Sequence, residues 1–377
     1  MRYHLSLPAR INILGNPTDA NEGDFATISA AVELRANAVI EGSEGIVLES
    51  VPLPGICVDQ TITRQVFYQD PPLPYNDELD LVKGAINQLY KFSNEFRQKL
   101  PKNGVQITTW SEVPRQSGLG GSSLFVLLAL AGLREFYDLD RQELNNYVLA
   151  ELAQRVEAKE LKITCGFADR YVPIFGGIAY MDFRGKLYQH EIKQEPYVTY
   201  ERLDEWIDML PLVVITTGIQ HDSGEVHGRM RPLYIEQHNL WTQEGGEPPP
   251  LVQLMLTVWE TAWKGKIALL EGDLETVGHL MNENHHLVNK MMTQCGFEDG
   301  AGWANNLMIE KALENGALGA KLTGAGGGGS VFALVKPGDQ ERLERAWVRA
   351  AEEYGMEKTE VFRPKIAHRG LVVERIE

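Results

Sequence analysis

A chain of 377 residues, 44% hydrophobic and 23% charged, has the make-up of an ordinary globular protein and is long enough for two domains. Its formal net charge of −16 argues against a nucleic-acid partner, because phosphate-backbone recognition needs a basic surface. Any anionic ligand must therefore be met by local positive charge. No apolar run is long enough to cross a bilayer, so no membrane partner is expected. The N-terminal stretch lacks a long apolar core ahead of a small-residue cleavage site, which points to a cytoplasmic protein. Three widely spaced cysteines, Cys57, Cys165 and Cys295, fit reduced thiols better than a disulfide framework.

Residues 1–60 alternate short apolar runs with Gly, Pro, Asn and Asp, which predicts strands joined by turns. Residues 77–100 place Leu81, Ala85, Leu89, Phe92 and Phe96 at helical spacing and stop before Pro101. A strand over 104–110 precedes a helix over 122–136 that is apolar on nearly every side and so belongs in a core. Another helix is predicted over 141–161 and a strand over 174–180. The charged stretch that follows places a domain boundary at 195/196. In the second half a strand is expected over 211–217, with helices over 223–237, 250–271, 274–292 and 303–315. Strands over 320–322 and 330–335 flank a glycine run, and a helix after Pro337 and further strands close the chain.

The strongest local signal is the segment PRQSGLGGSS, residues 114–123, between a predicted strand and a buried helix. A glycine-rich loop feeding a helix N-terminus gathers unpaired N–H groups at the positive end of the helix dipole, which makes an anion site. Its bland alternative is a tight turn with a serine cap. It is neither a Walker loop nor a dinucleotide fingerprint. A second element, KLTGAGGGGS over residues 321–330, sets six glycines or alanines in a row between apolar strands, where a flexible hairpin tip is the competing reading. Glu157 and Asp169 are the third element. Carboxylates at a phosphoryl-transfer site hold magnesium and face the attacking hydroxyl, although two acids at this spacing are commonplace as helix-surface charges.

Together with PARINILGNPTD over residues 8–19, these segments resemble the three motifs of the GHMP kinases, in the family's order and across nearly the whole chain. Within the family the likeness is greatest to glucuronokinase-type sugar kinases, carried by GNPTD at 15–19, PRQ at 114–116, ADRY at 168–171, YMDF at 180–183 and DSGEVH at 222–227. Heptose- and fucose-type kinases share part of that pattern. The resemblance implies an α+β fold of two domains, residues 1–195 with a left-handed βαβ element and 196–377 ferredoxin-like. It also implies an ATP-dependent, magnesium-requiring transfer to a small sugar or sugar acid.

Carried over residue by residue, the resemblance makes Asp169 and Arg10 catalytic and sets Asp19 against the sugar hydroxyls. ATP phosphates would be held by Pro114, Gly118, Leu119, Gly120, Gly121, Ser122 and Ser123 from one side and by Gly324, Gly326 and Gly327 from the other. Ser122 and Glu157 match the metal ligands, with Ser123 as the alternative, since Gly121 stands where the family usually has its first serine. Arg10 and Lys321 are candidate positive charges near the phosphates. A uronic acid would need a cation of its own, for which Arg170, Arg229 and Arg231 are the candidates. His221 and His227 could border the pocket. His285 and His286 read as surface or packing residues, and Trp259, Trp263, Met291 and Met292 as core. The rival readings are a kinase of a non-sugar alcohol such as mevalonate and a sensor that kept the fold without the chemistry.

Overall fold

In a computed structural model, which describes residues 1–21, 25–53, 62–184, 192, 195–207, 209–219 and 223–376, the N-terminal alternation folds into three strands. They are β1 (Arg2–Leu14), β2 (Ala26–Ser43) and β3 (Ile46–Ser50). Residues 5–14 of β1 are buried throughout, so this strand runs through the middle of the molecule. Then come β4 (Thr63–Phe67), α1 (Asp80–Phe92), α2 (Asn94–Lys99) and β5 (Gly104–Ser111). The single helix expected over 77–100 breaks at Ser93, whose hydroxyl accepts the Phe96 N–H and starts a new helix. β5 lies parallel to β3, so α1 and α2 form the crossover of a βαβ unit.

The apolar helix is α3 (Gly121–Phe136), followed by α4 (Asn146–Arg155), a π-helical turn (Val156–Glu160) and α5 (Ala168–Phe175). β6 (Ile178–Asp182) and β7 (Thr199–Arg202) complete this half. The strand expected from residue 174 therefore begins four residues later. Residues 174 and 175 end α5, a helix started by a distant carboxylate rather than by a local cap, as described below.

The second half contains β8 (Leu212–Thr216), α6 (Ser223–Glu244), α7 (Pro250–Leu270), α8 (Leu274–Gln294) and α9 (Trp303–Glu314). It continues with β9 (Gly319–Leu322), β10 (Ser330–Leu334), α10 (Gln340–Glu353), β11 (Glu360–Phe362) and β12 (Val372–Arg375). β11-β8-β10-β9 is a four-stranded antiparallel sheet. Its path β8, α9, β9, β10, α10, β11 is that of a ferredoxin-like unit, with α6 to α8 inserted after the first strand. Alternate residues face two cores, as the strand period requires. Val213, Ile215, Val331 and Ala333 pack with Met308 and Trp347, whereas Leu212, Val214, Phe332 and Leu334 join the core of the large sheet.

That eight-stranded sheet has the order β12-β1-β2-β5-β3-β4, with β6 on β2 and β7 on β6. Strand pairing carries the first half past the expected boundary at 195/196, because β7 belongs to this sheet, and the C-terminal β12 returns to pair with β1. Met291 and Met292 are core, Trp259 is half-buried and Trp263 is exposed. Trp263 follows the buried Ala262 on α7, and consecutive helical residues point about 100° apart. Cys165 and Cys295 are free thiols, and burial pushes them up to about 12 and about 11 respectively. Cys57 lies outside the described residues. Among those described, no helix is long and apolar enough to cross a membrane.

Candidate active site

β1 presents Arg10 and Asn12 on one face, since residues two apart on a strand point the same way. Both reach Asp169 in the first turn of α5. Arg10 donates from Nε to Oδ1 at 2.6 Å and from Nη2 to Oδ2 at 2.5 Å, and Asn12 Nδ2 lies 3.4 Å from Oδ1. Burial alone would raise the Asp169 carboxyl, but the Arg10 guanidinium overcomes it and holds the group well below the usual carboxylate range. The third arm of Arg10, Nη1, donates to the Gly118 carbonyl at 2.5 Å, and its backbone N–H donates to the Leu119 carbonyl at 3.1 Å. One arginine thus ties the carboxylate to the glycine loop. Asn12 is oriented by Ser29, whose hydroxyl donates to Asn12 Oδ1 at 2.8 Å. Sequence reasoning missed Asn12 as a site residue, although its i, i+2 relation to Arg10 was a readable signal.

Asp19 sits on the 3₁₀ turn after β1, and its Oδ2 accepts the N–H groups of Phe167 and Ala168, each at 2.8 Å. This carboxylate starts α5 and sets the position of Asp169. Gly166 permits the approach, because a Cβ there would lie 2.3 Å from Asp19 Oδ2. Burial, reinforced by the charge of Asp169, raises the Asp19 carboxyl above its ordinary range. Oδ1 of Asp19 has no hydrogen bond among the described residues.

Glu157 lies on the π-helical turn, a distortion often found at functional sites. Its Oε2 accepts Ser123 Oγ at 2.9 Å and Arg170 Nε at 2.9 Å, together with a short contact from Arg170 Nη2. Oε1 makes no hydrogen bond among the described residues. The structure therefore pairs Glu157 with Ser123, whereas Ser122 is exposed at the head of α3 and its hydroxyl makes no hydrogen bond among the described residues. Arg170 is buried and also donates to the Gly166 carbonyl at 2.7 Å. Its charge is spent on Glu157, which removes it from the candidates for a substrate carboxylate.

The glycine loop is half-exposed at Pro114, Gly118, Gly120 and Gly121, and buried at Leu119 and Ser123. Gly120 caps α3 without any side-chain hydrogen bond, so the first N–H groups of the helix stand unclaimed by a capping side chain. The second glycine segment packs directly on the first. A Cβ on Gly324 would lie 2.9 Å from the Gly118 Cα, and Ser330 Oγ donates to the Ser117 carbonyl at 2.6 Å. Gly326 is buried beneath Met292. Gly327 corrects an expectation: its N–H is donated to the Ala301 carbonyl at 2.9 Å and is not available to a phosphate.

Lys321 is a second correction. Its Nζ is fully buried and donates to Asn12 O, Asn16 Oδ1 and Leu322 O at 3.0, 2.8 and 2.8 Å. Burial and the nearby Arg10 push it well below the usual lysine range. It staples β1 to β9, as does Thr323, whose Oγ1 accepts the Asn12 N–H at 2.9 Å. Arg229 is exposed, ion-paired with Glu225 at 2.5 Å and stacked over Phe297, and Arg231 is half-buried on α6. His221 and Asp222 lie outside the described residues, while His227 is half-buried on α6. His285 is buried 3.0 Å from Asn306, away from any metal cluster among the described residues, and His286 is exposed.

Residues 80–177 match the family model described as the GHMP kinases N terminal domain, and residues 266–353 match GHMP kinases C terminal. The probable glucuronokinase 2 of Arabidopsis thaliana is 30% identical over 346 residues, covering 89% of this chain and 86% of that protein. The galactokinase of Thermococcus kodakarensis is 27% identical, over 90% of this chain and 91% of that one. In three dimensions the galactokinase of Lactococcus lactis, solved with galactose, superposes with a TM-score of 0.76 at 17% identity, over 98% of this chain and 95% of that chain. That likeness establishes the shared two-domain fold, and the sequence matches establish the descent: the chain belongs to the GHMP kinase family and is a phosphotransferase.

Proposed function

We propose that this enzyme transfers the γ-phosphate of ATP to a sugar hydroxyl, with the anomeric hydroxyl of a uronic acid as acceptor. The observation that carries the transfer chemistry is the fork of Arg10 on Asp169 beside the Gly118 carbonyl. A carboxylate gripped by two guanidinium N–H groups is a weak proton acceptor. Asp169 therefore orients the acceptor hydroxyl rather than stripping its proton, a role that suits a loose transition state in which positioning and charge neutralisation dominate. Arg10 sits where charge on the transferring group can be offset, and the head of α3 receives the phosphates. The free Oδ1 of Asp19 is left to accept a sugar hydroxyl.

Magnesium, when bound to the nucleotide, neutralises phosphate charge and orients the γ-phosphate. The residues fit it: Glu157 keeps Oε1 free while Ser123 and Arg170 orient its other oxygen, and the unengaged hydroxyl of Ser122 stands at the helix head. The uronic acid reading is supported by the 30% identity to a probable glucuronokinase. Arg231, half-buried on α6, is the cation we would test for the carboxylate. It follows Met230, whose sulfur lies 4.0 Å from Nδ2 of Asn21, two residues past motif one, and burial lowers its pKa.

A coupled ADP-release assay over glucuronate, glucose, galactose and mevalonate tests this reading. Glucuronate should give the highest kcat/KM, and neutral hexoses a lower one because they offer the cation no carboxylate. Higher kcat/KM for galactose or mevalonate would overturn the uronic acid assignment.

A further inference from the structure

At the opposite end of α5 from Asp169 lies a second cavity, of about 490 Å³, a size ordinary for small-molecule sites. Its lining includes Asn146 at the start of α4, Phe175 at the end of α5, Arg202 of β7, and His368 and Arg369 from the segment before β12. None of the lining residues is acidic, in a chain whose net charge is −16. The Asp204 side chain, 3% exposed, stands behind Arg202 and His368. It accepts Arg202 Nε at 3.0 Å and Nη2 at 2.5 Å, and His368 Nδ1 lies 2.8 Å from it. That carboxylate offsets one charge and fixes the aim of both side chains.

Arg369 is exposed and has no ion pair or hydrogen bond from its side chain among the described residues. Asn146 of the lining opens α4, whose cap Asn145 accepts the N–H groups of Tyr147 and Val148. The Asn146 N–H is left at the positive end of the helix dipole. Donors thus converge from two chain segments and a helix terminus. A phosphate monoester, with three acceptor oxygens and nearly two negative charges, matches these donors more fully than a singly charged carboxylate with two oxygens. Phe175 offers an apolar surface for the carbon skeleton.

We infer that this cavity binds a small phosphorylated metabolite and that its occupancy bears on Asp169 through α5. The cavity wall is fastened to the end of that helix: the Leu371 N–H donates to the Ile174 carbonyl at 3.0 Å, and the Gly177 N–H donates to the Ala367 carbonyl at 2.8 Å. From Phe175 to Asp169 is six residues of helix, about 9 Å along its axis. A ligand that draws His368 and Arg369 inward pulls on the helix that carries the catalytic carboxylate.

Calorimetric titration of the full chain with glucose 6-phosphate and with inorganic phosphate tests this. R369E should raise the Kd for glucose 6-phosphate about tenfold or more, H368A should raise it severalfold, and R10Q, altered in the active site, should leave it unchanged. Glucose 6-phosphate should also change the turnover of the wild type but not that of R369E, whose basal rate stays that of the wild type. Binding abolished by R10Q and untouched by R369E would place the anion in the active site and overturn the inference. Absence of binding at millimolar probe would do the same. Equal affinity for inorganic phosphate and glucose 6-phosphate would overturn the assignment to a metabolite. The binding measurements do not depend on which sugar the enzyme phosphorylates.

Discussion

Asp169→Asn separates the two services of this carboxylate, holding Arg10 and orienting the acceptor. The Arg10 side chain is 5% exposed and that of Asp169 25% exposed, so the pair is shielded on one side and open on the other. Breaking a fully buried pair by removing one partner costs about 3–5 kcal/mol. The partial exposure of Asp169 and the amide oxygen that still accepts one N–H reduce this to about 2 kcal/mol, while the amide NH₂ is turned against a guanidinium donor. The chain should therefore stay folded, with a lowered urea midpoint. Turnover should fall about 100-fold or more, equivalent to about 2.7 kcal/mol of transition-state stabilisation, while the ATP Kd changes less than about threefold. Because the folded pKa lies below the unfolded value near 3.8, the ionised form and its stabilisation persist above that value and are lost only as pH falls through the folded one. The wild-type rate should show no acid limb from Asp169 between about pH 5 and 8. A folded variant turning over within about threefold of wild type, or an acid limb near pH 6 that disappears in it, would refute the reasoning.

Glu157→Gln and Ser122→Ala should each raise the magnesium concentration for half-maximal rate about fivefold or more with acceptor affinity unchanged, and Ser123→Ala should have a smaller effect. A reversed order of the two serine variants in a magnesium titration would make Ser123 the ligand. Gly324→Ala forces a Cβ to 2.9 Å from Gly118 Cα, and because the atoms it meets all belong to the Gly118 backbone the glycine loop must move. The ATP Kd should rise about tenfold, with a stability loss of about 1–3 kcal/mol, and an unchanged Kd would contradict the packing. Glu151 is buried with Oε1 accepting from the Tyr171 hydroxyl and the Tyr197 N–H and Oε2 without a partner among the described residues, and burial raises its pKa from 4.5 to about 7. Its raised folded value means that stability is fully present below pH 4.5 and lost as pH rises through 7. Denaturant curves should show the wild type losing about 3 kcal/mol relative to Glu151→Gln between pH 4.5 and 8, and parallel pH dependence would rule this out.

The bounds of α7, α8 and α9 fall within two residues of expectation, because helical periodicity, Pro250 and Gly272 are local signals. The glycine loops were legible for the same reason: few structural needs other than close backbone approach call for such runs. The order of the motifs carried the family, and the period-two relation of Arg10 and Asn12 could be read along one strand. What sequence alone could not decide was which charges cancel. Arg170 and Lys321 were equally available as ligands of an anionic substrate until burial and contacts between 13 and 309 positions away committed them to Glu157 and to the backbone of β1. The start of α5 depends on Asp19, 149 residues earlier, and so no local pattern could mark it. Secondary structure follows from preferences that each short segment carries with it. The state of a charged side chain follows from what surrounds it in three dimensions, and burial makes that dependence strong enough to reverse a residue's apparent role.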